Sequence, residues 1–238
     1  MKTKLFLLLA ALSFSAVSLI AQEPKTMYIM KNGEVAYQSA VSEVDSIIFY
    51  KSTPVIPEGG VLINGVVWAT CNVAAPGTFA ANPEDAGMFY QWNRNIGWSV
   101  TNPMTNSNGG TIWDNSFPSG DSWAKSNDPS PSGWRVPTRE EQQTLLDTDK
   151  VTSEWTTLNG VTGKKFTDKA TGASFFLPAA GRRSLNDGTL LSNGSSCYYW
   201  SRTQSDSFNA YSLYFFSSNA NVFSYGRNFG KSVRAVAE

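Results

Sequence analysis

The sequence predicts an α+β fold, in which two short helices accompany a small antiparallel sheet. Two segments carry helix N-cap signals, one at Asn82 and the other at Thr138. After Trp155, short apolar and aromatic runs alternate with turns that contain Gly, Asn or Asp, a pattern typical of antiparallel strands. Residues 96–128, between the helices, are rich in Asn, Ser, Gly and Pro without a regular period, which predicts long irregular loops.

The composition restricts the classes of function. The 238 residues are 41% hydrophobic, which is enough for one sizeable domain and an appendage. The 19 basic residues balance 19 acidic ones, whereas a nucleic-acid binder needs a basic face. No residue is His, which removes the commonest general base and the commonest zinc ligand. We therefore predict that the protein is not an enzyme, and assign no catalytic residue, cofactor or metal ligand.

The N-terminus has the pattern of a secretory signal peptide, residues 1–21. Two lysines precede an apolar run from Leu5 to Leu12, and small residues follow it. Cleavage is expected after Ala21, with Ser18 as the alternative, and no Cys lies near either position to take a lipid. We expect a secreted or cell-surface protein that does not span the membrane once the signal is removed.

Residues 22–51 are predicted to form a small β unit, and residues 52–60 a linker rich in Pro and Gly. Asn32-Gly33 separates two apolar runs, which is a strong hairpin signal, and Asp45–Tyr50 is a further candidate strand. So few strands are marginally stable alone. We expect them to pack on the main domain, residues 61–238, or on a partner.

The main domain is expected to open with a hairpin turned by Asn64-Gly65, followed by a helix. Asn82 is the predicted N-cap of that helix, with Pro and two acids in its first turn. The helix is expected to end near Asn93. Its apolar residues at helical spacing are Met88, Phe89 and Trp92.

Three tryptophans of the irregular stretch are expected to be local anchors rather than ligand contacts: Trp98, Trp113 and Trp123. The second helix begins after Thr138, where Glu141 completes a capping box, and is expected to end near Asp147. Strands are predicted at residues 163–168 and 174–181.

Three features have more than one interpretation. Arg182-Arg183 could bind a phosphate or carboxylate, although arginine beside a glycine turn more often pairs structurally. Asp187 and Asn193 could supply oxygens to a calcium ion, but no acidic cluster supports such a site. Cys71 and Cys197 could form a disulfide in an exported protein, and two separate thiols are the alternative.

The C-terminal stretch, residues 195–238, contains the predicted binding face. It has no charged residue between Asp206 and Arg227, and it is rich in Asn, Ser, Tyr and Phe, as antibody paratopes are. Alternation along Tyr211–Phe216 is expected to expose every second side chain. The residues predicted to contact the ligand are Ser212, Tyr214, Phe216, Asn219, Asn221, Phe223, Tyr225, Asn228 and Phe229.

Five motifs in order resemble the Fibrobacter succinogenes major paralogous domain, over about residues 61–238. They are Gly65–Val73, Pro131–Pro137, Leu177–Arg182, Tyr199–Thr203 and Gly230–Val236. The resemblance implies a C-type lectin-like fold, in the variant shared with formylglycine-generating enzymes, with two helices and a small twisted antiparallel sheet. The N-terminal β unit resembles one found in exported Bacteroidales proteins.

The chain departs from these families at its cysteines. Ser130 stands where the domain family often has Cys, and Cys197 is the only Cys of the C-terminal half. Formylglycine-generating enzymes use a pair of C-terminal cysteines, so the resemblance does not carry their activity to this chain. The C-terminal stretch also resembles the variable region of diversity-generating retroelement target proteins, which implies that its exposed positions are diversified.

Together these observations predict an exported ligand-binding module, an adhesin whose aromatic, uncharged face binds a protein or a glycan. Two alternatives stay open. One is a structural or tip subunit of a surface assembly that meets its partner through residues 23–50. The other is an enzyme of the formylglycine-generating type.

Overall fold

The computed structural model describes residues 25–47 and 55–238. The chain divides into two compact units, residues 1–53 and 54–238. The predicted signal peptide and the second half of the candidate strand Asp45–Tyr50 lie outside the described residues. The signal peptide and the domain limits therefore stay predictions.

The described part of the first unit, residues 25–47, contains one hairpin, with strand β1 at Thr26–Lys31 and strand β2 at Glu34–Ala40. Asn32 and Gly33 join the strands with φ of 54° and 84°. A two-residue hairpin turn needs positive φ at both positions, which Asn and Gly adopt at low cost. The predicted hairpin is confirmed. The described part of Asp45–Tyr50 has no strand.

The second unit is built from short strands in several antiparallel sheets. The first group of elements is β3 (Gly60–Ile63), β4 (Val66–Ala69), β5 (Phe89–Tyr90), β6 (Gly97–Trp98), β7 (Trp134–Arg135), helix α1 (Arg139–Thr144), β8 (Val151–Leu158), β9 (Val161–Asp168) and β10 (Ser174–Pro178). The second group is β11 (Arg182–Arg183), β12 (Leu190–Leu191), β13 (Cys197–Gln204), β14 (Asn209–Phe215), β15 (Ala220–Gly226) and β16 (Val236–Ala237). The larger sheets have the strand orders β3-β4-β16-β7, β10-β9-β8 and β13-β14-β15. The hairpin predicted at Asn64-Gly65 joins β3 to β4 and is confirmed.

The predicted fold class is wrong. The structure is 41% strand and 6% helix, and α1 is the one α-helix of the described residues. It is therefore mostly β rather than α+β with two helices, and the C-type lectin-like architecture is not confirmed.

The missing helix is the one predicted to begin at Asn82. The carboxylate of Asp85 accepts hydrogen bonds from the Asn82 backbone and side-chain nitrogens, at 2.9 and 3.2 Å. The residues predicted to cap a helix therefore form a turn instead. Gly87 follows with φ of 68° and leaves helical geometry. The chain then continues extended, because the Tyr90 backbone exchanges two hydrogen bonds with Lys231. Long-range pairing outweighs the local helical pattern.

The second predicted helix is confirmed, in a shorter form. Thr138 caps α1, and Glu141 completes the capping box from the third helical position. Glu141 also accepts two hydrogen bonds from Arg135, at 2.8 and 2.6 Å. Gln142 faces inward and donates to the backbone carbonyls of β13. The helix ends at Thr144, before the expected limit near Asp147.

The β13-β14-β15 sheet lies between two hydrophobic clusters. On one side, Tyr199, Leu213 and Phe215 pack with residues of β9, β10 and the turn after α1. On the other side, Trp200 packs with Trp92 and other buried aromatic residues. Because both sides are covered over much of its length, this sheet is a rigid support for the side chains at its uncovered end.

The irregular stretch 96–128 is held down by its tryptophans, as expected. Trp98 and Trp113 are buried with their ring centres 4.9 Å apart. The indole nitrogen of Trp113 donates to the Leu185 carbonyl at 3.1 Å, and that of Trp123 donates to the Asn127 carbonyl at 2.7 Å. These rings are local anchors of the loops.

The two cysteines are separate thiols, Cys71 half-buried and Cys197 buried. Burial raises the pKa of the Cys197 thiol well above its ordinary value, so this group is inert at neutral pH. None of the helices in the described ranges is long and apolar enough to span a membrane.

Candidate functional site

Six aromatic side chains gather at one side of the β13-β14-β15 sheet and beside it. We call them the aromatic face: Tyr198, Tyr214, Phe216, Phe223, Tyr225 and Phe229. The strand register sets Tyr198 opposite Tyr214, and their ring centres are 4.8 Å apart. Tyr214 lies 5.7 Å from Phe216 and 6.3 Å from Phe223. These distances are those of interacting rings, so the face is one continuous cluster.

The exposure of the predicted contact residues falls into three classes. Asn219, Asn221 and Phe223 are exposed, with Phe223 at 44%. Half-buried positions are Tyr214, Phe216, Tyr225 and Phe229. Ser212 and Asn228 are buried, at 0% and 2% exposure. The prediction that these last two residues are exposed is wrong.

Ser212 is buried because a distant segment covers it. Lys231 lies over this part of β14, and its Nζ donates to Ser212 Oγ at 2.9 Å. Asn228 is buried because it fastens a loop, with its Nδ2 donating to the Asn115 carbonyl at 3.1 Å. Both side chains are buried and form hydrogen bonds within the protein.

Lys231 is fully buried beneath the aromatic face. Its Nζ lies 3.5 Å from the ring centre of Tyr225 and 4.0 Å from that of Trp200. Within the described ranges, no carboxylate forms an ion pair with it. Burial, and to a lesser extent the charge of Arg182, hold the pKa of Lys231 well below its usual range.

Arg182 brings a positive charge to the face. Its guanidinium carbon lies 4.5 Å from the ring centre of Phe229, 4.7 Å from that of Tyr198 and 5.7 Å from that of Tyr225. The three rings are within the range of cation–π attraction. The face is therefore aromatic and positively charged at its centre, although its own strands β14 and β15 carry no charge.

The neighbouring arginine has a different role. Arg183 is buried and donates to the backbone carbonyls of Ser99, Thr101 and Gly188, at 3.0, 2.8 and 2.8 Å. It pins the irregular loops to β11. Structural pairing therefore describes Arg183, whereas Arg182 keeps its guanidinium on the aromatic face.

The hydroxyls of Tyr198 and Tyr225 remain protonated at physiological pH. Burial raises the pKa of Tyr225 to about 12, and burial also raises the pKa of Tyr198. A neutral phenol both donates and accepts a hydrogen bond. The face thus combines flat apolar surfaces with hydroxyls, and the exposed amides of Asn219 and Asn221 lie beside it.

A second concave region of the described residues has a different arrangement. A cavity of about 410 Å³ is lined by Lys125, Asp128, Arg135 and neighbouring residues. Its charged groups are engaged, because Arg135 pairs with Glu141, and Asp128 accepts two backbone hydrogen bonds. At the candidate calcium position, Asp187 accepts both its hydrogen bonds from Thr189. Three metal-ligating side chains of His, Cys, Asp or Glu do not cluster anywhere in the described ranges.

The sequence analysis did not connect Tyr198, Arg182 or Lys231 with the aromatic face, although it named Arg182 as a possible ligand of a phosphate or carboxylate. The signal for Tyr198 was present, since alternation along β13 puts it on the opposite side from Tyr199. Arg182 and Lys231 carried no such signal, because they come from other segments. Comparison with family models, with curated proteins and with solved structures finds no match for this chain.

Proposed function

We propose that this protein is an exported binding module, and that the aromatic face binds a glycan or a protein on a target surface. The observation that supports this proposal is the cluster of six rings, each with its centre 4.8–6.4 Å from that of another, with an exposed rim at Asn219, Asn221 and Phe223. A cluster of aromatic side chains with an exposed rim is typical of recognition sites.

The support of the face favours tight binding. Leu213 and Phe215 anchor β14 in the core, and Trp200 donates its indole N–H to the Tyr90 carbonyl at 2.8 Å. Rings that are already fixed lose little conformational freedom when a ligand arrives. A face on paired strands is therefore a better binding platform than the same residues on a mobile loop.

Substitution of two rim residues, Asn221 and Phe223, is expected to weaken binding without unfolding the protein. In the variant Phe223→Ser/Asn221→Ala, we expect at least a tenfold loss of affinity and a change in Tm of only a few degrees. The reason is that both side chains are exposed and contribute little to the core. Binding is measured on an array of neutral and acidic glycans and on intact bacterial and epithelial cells.

Val161→Ser is the matched control, because Val161 is an exposed apolar residue at the turn between β8 and β9. It should bind as the unmodified protein does. Equal binding by the rim variant would contradict the proposed function. We do not choose Tyr225 for this test, because its ring covers Lys231 and its loss would disturb the fold.

A second function, a subunit of a surface assembly, is favoured by the apolar surface of the first unit. The exposed apolar residues of the β1-β2 hairpin are Tyr28, Ile29, Met30, Val35 and Tyr37. Ile29 and Tyr37 are directly opposite each other. In this alternative the hairpin pairs with a partner and holds the protein on the cell surface.

The variant Ile29→Thr/Tyr37→Thr tests this alternative. We expect several-fold less protein on the producing cells and correspondingly more in the medium, since two exposed apolar contacts are lost. Gln38→Thr, an exposed polar change on the same strand, is the control. Unchanged retention of the double variant on the cells would exclude an anchoring role for this pair.

We propose further that the exposed positions of the face are diversified by a retroelement. The support is compositional, since Asn, Ser, Tyr and Phe dominate residues 208–229. The test is genomic: a near-copy of the segment that encodes this stretch should lie close to the gene, beside a reverse transcriptase. A locus without both elements would end this proposal and leave the binding function untouched.

A further inference from the structure

Arg182 differs in its contacts from the buried arginines Arg183, Arg227 and Arg234. Its guanidinium lies among the rings of Phe229, Tyr198 and Tyr225. Rings stacked over a guanidinium leave its edge, which carries the N–H groups, for hydrogen bonding. An arginine held in this way is oriented before a ligand arrives.

The N–H groups of Arg182 lack protein acceptors within the described ranges. Its Nε is buried without a hydrogen-bond partner, and no carboxylate forms an ion pair with the side chain. By contrast, Arg183, Arg227 and Arg234 each donate to several carbonyls. A buried donor without a partner is uncommon and calls for an explanation.

The local charge adds to the same conclusion. No carboxylate among the residues described forms an ion pair with Arg182. The guanidinium charge of Arg182, against an apolar face, produces a positive potential, which the low dielectric of the surrounding rings leaves poorly screened. A neutral ligand would leave this potential uncompensated.

We propose that the ligand of the aromatic face is a glycan that carries a carboxylate, and that Arg182 binds this carboxylate. The proposal rests on the binding function proposed above and names its ligand class. The carboxylate oxygens accept hydrogen bonds from the edge of the guanidinium, in the geometry of arginine–carboxylate pairs. The C–H side of a sugar ring stacks on the exposed rings.

The surroundings favour an acidic sugar over an acidic peptide. Sugar hydroxyls need many hydrogen-bond partners, and the tyrosine hydroxyls and the amides of Asn219 and Asn221 offer them. A peptide in extended form would add to the free edge of β15. At that edge the Val222 amide already donates to the Asn221 side chain, at 2.8 Å. Addition of a strand would have to break this bond.

The experiment compares acidic glycans with their carboxyl-reduced counterparts. Arrays should carry oligosaccharides that contain uronic or sialic acid, the same oligosaccharides with each carboxylate reduced to an alcohol, and acidic peptides. We expect at least tenfold tighter binding to the carboxylated form. In Arg182→Gln this preference should disappear, and in Arg182→Lys it should fall only partly, since one point charge replaces a planar fork.

Arg139→Gln is the matched control, because Arg139 also stacks on a tyrosine and also has a buried Nε without a partner. Its guanidinium carbon lies 4.1 Å from the ring centre of Tyr211, whose side chain points to the opposite side of β14 from Tyr214. Arg139→Gln should keep the full preference for the carboxylate. Thermal unfolding of each variant verifies that it is folded.

Three results overturn the inference. Equal binding to the carboxylated and reduced glycans would show that the carboxylate is not recognised. Preferential binding to acidic peptides would show that the ligand is a peptide and not a glycan. An Arg182→Gln variant that is folded and keeps the preference shows that Arg182 is not the receptor. The rim variant Phe223→Ser/Asn221→Ala separates the two proposals. If that variant loses binding while Arg182→Gln binds as the unmodified protein does, the proposed binding function stands and the proposed carboxylate ligand of Arg182 is refuted.

Discussion

Replacement of Arg234 by methionine is expected to lower the free energy of unfolding by about 3–6 kcal/mol, because a buried acceptor left unpaired costs roughly 1–3 kcal/mol. Arg234 is fully buried near the C-terminus of the chain. It donates to Asn72 Oδ1 at 2.9 Å, to the Ala69 carbonyl at 3.1 Å and to the Phe176 carbonyl at 3.0 Å. It also donates to the Thr70 carbonyl. A methionine fills a similar volume but offers none of these hydrogen bonds.

The loss would be a large fraction of the stability of a typical domain, which is about 5–15 kcal/mol. Urea unfolding at neutral pH measures it. Arg139→Met is the control, since its side chain makes no hydrogen bond and only the cation–π contact with Tyr211, of about 0.5–1 kcal/mol, is lost. Equal destabilisation by the two substitutions would show that the hydrogen bonds of Arg234 are not what stabilises this region.

Lys231 is expected to make the stability of the protein depend strongly on pH, and its replacement should remove that dependence. Burial lowers the pKa of this lysine well below its ordinary value. Between the lowered pKa and the unfolded value of about 10.4, the unfolded chain binds a proton that the folded chain does not. The free energy of unfolding therefore rises with pH in this window, by up to about 1.4 kcal/mol per pH unit.

The clean variant is Lys231→Met/Ser212→Ala, because it removes the amine together with the hydroxyl that accepts its hydrogen bond. We expect a nearly flat stability profile from pH 7 to pH 9 and a higher stability at pH 7 than the unmodified protein has. Lys125→Met is the control, since the Lys125 side chain is 86% exposed. Measurements should stop below about pH 10, where tyrosines begin to ionise in the unfolded chain.

A rising profile that persists in the double variant would mean that another group causes it. A profile that is already flat in the unmodified protein would mean that Lys231 keeps an ordinary pKa. In either case the assignment of the pH dependence to a lowered pKa of Lys231 would be wrong.

Local signals in the sequence were reliable where the structure depends on neighbouring residues. Asn32-Gly33 and Asn64-Gly65 turn hairpins, because those residues adopt positive φ at low cost whatever surrounds them. The Thr138 and Glu141 capping box starts a helix, since both partners lie within one turn. The same reasoning failed at Asn82, where a side-chain hydrogen bond closes a turn and distant strands draw the following residues into extended structure.

The candidate site shows the same division. The alternation of β14 correctly placed Ser212, Tyr214 and Phe216 on one side, because a strand of period two leaves no other arrangement. Which of these side chains is exposed depends on a distant residue, because Lys231 packs over Ser212 and buries it. The positive charge at the face was not predicted either, because Arg182, which supplies it, lies outside the uncharged C-terminal stretch. The sequence by itself determined turns, caps and strand sides, which depend on nearby residues. Burial and electrostatics depend on residues far apart in the chain, and only the tertiary structure brings those together.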